Sequence, residues 1–210
     1  LPKWVASELF DIEARAEGKP TRDQMRLMMQ SLLADRFKLA VHYETRQLPV
    51  FALVLSKAGK TGPRLIPHTD DPPCAALPGP GLALPPGNGD GWPPPLCGVM
   101  IMLPTSGGRM RWATRNMTMG QIASHLPSGG TLDRPVLDQT GLNGTFDARM
   151  EFAPQVVPRI NGAPLPDFTP DEAAATFLEA LQEQLGLKLV SQTGPMDVLV
   201  IDHIEEPSPN

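Results

Sequence analysis

The sequence predicts an α+β fold, with mixed or mainly antiparallel sheets and helices packed on one face. Three observations carry that reading. Three segments open on a helix-start signal, several others alternate apolar and polar residues in the manner of half-buried strands, and two short runs are continuously apolar and of β-type residues. The elements fall into two βαββ-like halves, residues 1–58 and 98–206, joined by a Pro/Gly-rich loop over 59–97. The whole is expected to form one compact unit over 1–210.

The helices come first. Thr21 with Gln24, Thr118 with Gln121, and Thr169 with Pro170 and Glu172 each read as a capping box. In such a box the Thr oxygen accepts from a free backbone N–H, and the Gln or Glu side chain reaches back to the cap. The first helix continues with Met25, Met28, Met29, Leu32 and Leu33, a stripe at helical spacing that predicts a buried face. The third carries Ala174, Phe177, Leu178, Leu181 and Leu185 and stops at Gly186. The second is short, with Ile122, Ala123 and Leu126, and ends at Pro127.

Strands follow from alternation. Leu39, Val41 and Tyr43 share one side against Lys38, His42, Glu44 and Arg46. Phe146, Ala148, Met150 and Phe152 do the same against Thr145, Asp147, Arg149 and Glu151. Val50–Leu55 and Val198–Ile201 read as central strands covered on both faces. Phe10–Ala16 and Arg109–Asn116 are expected strands that precede helices. The pattern helix, amphipathic strand, Pro, apolar strand occurs after the first helix and again after the third, as an internal duplication or as the common look of any such unit. Leu33, Phe37, Leu53, Phe177, Leu181, Leu199 and Ile201 form the expected core.

Composition bounds the function classes. With 18 Lys+Arg against 23 Asp+Glu the net charge is −5, which argues against a nucleic-acid partner. The longest apolar run, Val50–Leu55, is far short of the ~18 residues that a membrane-spanning helix needs. The opening Leu1-Pro2-Lys3-Trp4 lacks the pattern of a signal peptide and an initiator Met, as expected of an excised or processed fragment.

The loop 59–97 holds both cysteines, Cys74 and Cys97. A disulfide that closes this loop is preferred to two free thiols, since an exposed loop is a poor place for free thiols, and it implies an oxidising compartment. A metal site is not expected: His68 lies six residues before Cys74, and no further partner follows at short spacing.

Catalytic patterns are absent. There is no G-x-S-x-G and no S-x-x-K, so Lys60-Thr61-Gly62 stands as an ordinary loop tripeptide. The four histidines, His42, His68, His125 and His203, show no H-x-x-x-H pair, and no glycine cluster lies between a strand and a helix. Ten methionines invite comparison with soft-metal sites, but Met25, Met28, Met29 and Met150 fall on apolar faces and read as packing. Arg109, Arg111 and Arg115 share a strand face, either as an interaction stripe or as a solvated face paired with Asp147 and Glu151. No cofactor is expected.

The segments FDIEARA, LLADRFKLAVHYETRQLPVFALVLSKAGKTGPRL, PVLDQTGLNGTFDARMEF and LQEQLGLKLVSQTGPMDVLVIDHIEEPSPN resemble a paralogue-rich, soil-bacterial domain family of unknown function. Some of its members look like appendages on antibiotic-sensor-type membrane metallopeptidases. The resemblance supplies no catalytic residue and implies an exported or membrane-tethered domain. Over Arg109–Ile204 the order TMGQIASHL, PVLDQTGLNGTFDARMEF, TPDEAAATFLEAL, GLKLVSQTGPMDVLVI is similar to the small N-terminal modules of secretins and TonB-dependent receptors, apart from an insertion at Ala153–Asp167. That likeness implies a periplasmic module that binds protein partners. Together these readings lead to a non-catalytic, extracytoplasmic binding or sensing module for a protein or envelope-derived ligand. The alternatives are a hydrolase whose site assembles only in the fold, with His42, His125 or His203 as base, and a structural envelope protein.

Overall fold

A computed structural model describes residues 1–71, 73–74, 96–129, 132–160 and 163–207. Most of the Pro-rich loop lies outside these residues. Among them the chain forms three helices, α1 (Arg22–Arg36), α2 (Met119–His125) and α3 (Phe177–Leu185). The strands are β1 (Ala40–Leu55), β2 (Leu65–Pro67), β3 (Met100–Pro104), β4 (Met110–Met117), β5 (Val136–Asp138), β6 (Phe146–Phe152), β7 (Arg159–Ile160), β8 (Ala163–Pro164) and β9 (Leu187–His203). The fold is α+β: one sheet has the order β5-β1-β9, another β2-β6-β4-β3, and β7-β8 is a small hairpin.

The chain divides into two compact units, Leu1–Leu48 with Gly194–Asn210, and Pro49–Thr193. The division differs from the two sequence halves because β1 and β9 are each one continuous strand that contributes to both units. No turn separates the amphipathic and apolar segments before Pro49 or Pro195. Pro49 lies beyond the segment Phe51–Leu53 that pairs in parallel with Val136–Asp138, and Pro195 sits on β9, an edge strand, so the missing N–H groups are tolerated.

The second unit holds the main core. Antiparallel β2, β4 and β6 bring together Leu65, Trp112, Ala148 and Met150, with Met102 of β3 packed against them, facing the buried Ile122 of α2 and Leu181 and Leu185 of α3. Strand β6 alternates as expected, with Phe146, Ala148, Met150 and Phe152 buried. The rings of Phe152 and Phe177 meet edge-to-face at 5.2 Å between centroids. Helix α2 opens on the expected capping box of Thr118 and Gln121.

Helix α3 starts seven residues later than expected. Its cap is Thr176, reciprocated by Glu179, and Thr169 lies outside it. The segment before it is committed elsewhere: the Asp171 N–H donates to the Gly108 carbonyl at 3.0 Å, and the Asp171 side chain binds Arg109. Gly108 is required there, since its φ is +71° and a Cβ would stand 2.0 Å from the Thr169 carbonyl oxygen. Helix α3 ends at Gly186 in the left-handed conformation, as expected.

In the first unit, α1 opens on the expected box of Thr21 and Gln24. Its apolar stripe is not core: Met25, Met28 and Met29 are each more than two-fifths exposed, and Leu32 and Leu33 are half-buried. This unit provides little to cover them. Among its described residues only Phe37 and Gly194 are buried, and its packing centres on the rings of Trp4, Phe10 and Phe37, 5.6–6.5 Å apart. Two more expectations fail here. Phe10–Ala16 is not a strand, and Leu199 is exposed with Ile201 half-buried, because β9 is an edge strand covered on one face only.

Candidate functional site

Two places in the second unit combine side chains in ways that matter chemically. The first is built where β2, β4 and β6 meet. His68 directly follows β2, and its N–H donates to the Thr145 carbonyl at 2.9 Å. Pairing of Leu65 with Ala148 and of Pro67 with Phe146 sets His68 beside Asp147 of β6. Strand β4 contributes through a bulge. Thr114 pairs with Ala148 but Met117 with Phe146, and Asn116 within the extra length has a φ of 52°. The bulge turns Arg115 inward, where it is only 7% exposed.

These distortions converge on one carboxylate. Asp147 Oδ1 is 2.7 Å from His68 Nδ1 and accepts from the Asn116 N–H at 3.0 Å, while Oδ2 is 3.4 Å from Arg115 Nε. Arg115 also donates to the Thr69 carbonyl at 3.0 Å. An ionised carboxylate only accepts, so His68 Nδ1 is the donor. The other ring nitrogen, Nε2, is buried and makes no hydrogen bond; the fully exposed Asp70 carboxylate is 3.5 Å away. Beside this ring stands the Cys74–Cys97 disulfide, the bond expected from the sequence. Its Cys97 end is held by the Gly98 N–H, which donates to the Arg115 carbonyl at 2.9 Å. A ligand atom of His68 and the two sulfurs lie within 4.8 Å of one another.

The other histidines do not join this cluster. His42 Nδ1 is 2.8 Å from Asp202, and His203 Nε2 is 2.8 Å from Glu205, both pairs about half exposed in the first unit. His125 lies in the last turn of α2. Asp147, His68 and the Cys74–Cys97 disulfide lie side by side in the second unit, with both cysteines oxidised. Nothing local could have shown it, because His68 and Asp147 are 79 residues apart in sequence.

The three arginines do not form one open stripe. Arg115 is drawn inward by the bulge. Arg109 donates to Asp171 at 2.8 Å and to Glu151 at 3.1 Å, and Arg111 donates to Glu151 at 2.7 Å. Burial pushes the Glu151 carboxyl up, but Arg111 and Arg109 outweigh it and hold it below its ordinary value. Asp171 is held low by Arg109 and by the Ala173 N–H.

The second place is an apolar cleft of about 240 Å³ between β3, β4, β6, the start of α3 and the Pro154–Pro158 segment. Met102, Met110, Phe152 and Phe177 line its floor, with Val156 and Leu178 exposed at the rim. No ionisable side chain lines it among the described residues.

A family model described as protein of unknown function (DUF3738) matches residues 1–204. The chain belongs to the DUF3738 family. No curated protein and no solved structure matches it. Membership of the DUF3738 family agrees with the uncharacterised family that the sequence resembles, and its description assigns no activity to either place. In this DUF3738 chain no helix among the described residues is long and apolar enough to cross a membrane.

Proposed function

We propose that the chain is an extracytoplasmic binding or sensing module that takes up an apolar portion of a protein or envelope-derived ligand, without transforming it. The observation that carries this is the cleft lined by Met102, Met110, Phe152 and Phe177, open through the exposed apolar rim of Val156 and Leu178. A concave apolar surface that lacks an ionisable group suits recognition by burial and offers nothing for acid–base chemistry. The neighbouring edge strand β3 adds backbone groups that an extended ligand could pair with. The disulfide supports the compartment, because such bonds persist where the milieu is oxidising.

The test uses the purified chain with an environment-sensitive apolar dye and with short apolar peptides as competitors. Saturable binding is expected. Leu178→Asp should weaken it by about 10–100-fold, the worth of one buried leucine side chain. In parallel, the chain is screened for turnover of esters, peptides, β-lactams and glycosides, with and without zinc. Turnover that survives repurification and vanishes on mutation of a single histidine would overturn the reading in favour of an enzyme.

A further inference from the structure

We infer that His68, Cys74 and Cys97 form a redox-gated metal site, closed by the disulfide and able, once it is reduced, to bind a thiophilic divalent ion of the zinc class. The inference is independent of the apolar cleft. The His68 side chain is only 6% exposed, Nδ1 is engaged by Asp147, and Nε2 makes no hydrogen bond. Burying a polar atom without a hydrogen-bond partner is costly, so a buried lone pair held in place by a hydrogen-bonded carboxylate calls for a partner.

Beside this ring stand the two sulfurs, which lie within 4.8 Å of a ligand atom of His68 and of one another. A tetrahedral zinc ion with bonds of about 2.0–2.3 Å to nitrogen and sulfur spaces its ligand atoms by roughly 3.5–3.8 Å. Opening the sulfur–sulfur bond lets the two sulfurs separate toward that spacing, while Asp147 holds the His68 ring. Asp147 supplies the outer support usual for a metal-bound histidine: it fixes the tautomer, orients the ring and is itself held by Asn116 and Arg115. The fourth position is open to water or to Asp70, which is solvent-exposed and 3.5 Å from Nε2.

The chemistry balances with a dithiol as reductant. Its two thiols pass two electrons and two protons to the Cys74–Cys97 bond and leave as a disulfide, giving two cysteine thiols. The metal ion then displaces both thiol protons and binds two thiolates and the neutral imidazole, so its charge is cancelled.

The experiment uses the full chain, oxidised or reduced with a phosphine, and titrates it with Co2+ as a spectroscopic probe, followed by Zn2+ as competitor. The oxidised chain should bind none. The reduced chain should bind Co2+ stoichiometrically, with sulfur-to-cobalt charge transfer and tetrahedral visible bands, and release it to Zn2+. His68→Ala should weaken binding at least as much as Asp147→Asn, for which about 10–100-fold is expected. Absence of stoichiometric binding by the folded reduced chain, or equal affinity in His68→Ala, would overturn the inference. Circular dichroism in parallel reports folding. If reduction unfolds the chain, Zn2+ should restore the fold and protect the thiols from alkylation, and failure to do so also overturns it.

Discussion

At the scale of single residues, Glu151 shows how the protein uses its arginines. The carboxylate joins Arg109 and Arg111 on the neighbouring strand, while its backbone N–H and carbonyl are held by the Gln184 side chain. Its carboxyl is held below the ordinary 4.5, so the stabilisation is complete above about that pH and is lost as pH falls through the lower folded value. Glu151→Gln should therefore cost about 1–2 kcal/mol at neutral pH and flatten the loss of stability below about pH 4.5. Urea denaturation across an acidic pH series checks this; an unchanged slope would show that other carboxylates govern the acid limb. The arginine pattern was legible in the sequence, but its partition between two outward, ion-paired arginines and one inward anchor was not, because that depends on a bulge in β4.

At the scale of elements, local signals located helix starts well but could not choose between two that compete. Thr169-Pro170 and Thr176 both carry acceptable caps, and the choice fell to Thr176 because Asp171 is bound to Arg109 and Gly108. Thr176→Ala should cost about 1 kcal/mol, whereas Thr169→Ala should stay within about 0.5 kcal/mol. Equal costs in thermal denaturation would place the cap elsewhere. A second pair of substitutions separates the two apolar stripes. Leu181 of α3 is fully buried, so Leu181→Ala should cost about 2–5 kcal/mol. Met28 of α1 is 47% exposed, so Met28→Ala should cost less than about 1 kcal/mol. Periodicity was the same kind of signal in both helices, yet it states only that a face is apolar, never that something covers it.

At the scale of the whole molecule, burial is distributed unequally between the two units. The second contains nearly all of the buried hydrophobic residues, while the first relies on Phe37 and its ring contacts. Local opening becomes easier where few apolar contacts must be broken. Amides of α1 are thus expected to exchange with deuterium much faster than those of β4 and β6, by about tenfold for each 1.4 kcal/mol of difference in local stability. Mass-spectrometric exchange would show it directly, and matching protection in α1 and β6 would contradict the burial picture.

What the sequence determined by itself is what sequence-local chemistry can decide. The Thr21 and Thr118 boxes, the stop at Gly186 and the alternation of Phe146–Phe152 each rest on groups a few residues apart, and the α+β class follows from their order. The Cys74–Cys97 bond was legible because the composition of its loop left the two thiols few other uses. The tertiary structure alone decided that β1 and β9 run unbroken through Pro49 and Pro195, that the α1 stripe stays exposed, and that His68, Asp147 and the disulfide meet. Each of these depends on which strand becomes an edge, where a bulge falls and which residue lies opposite in register. Such choices minimise the energy of the whole assembly, so residues far apart in the chain fix them together and no local pattern announces them.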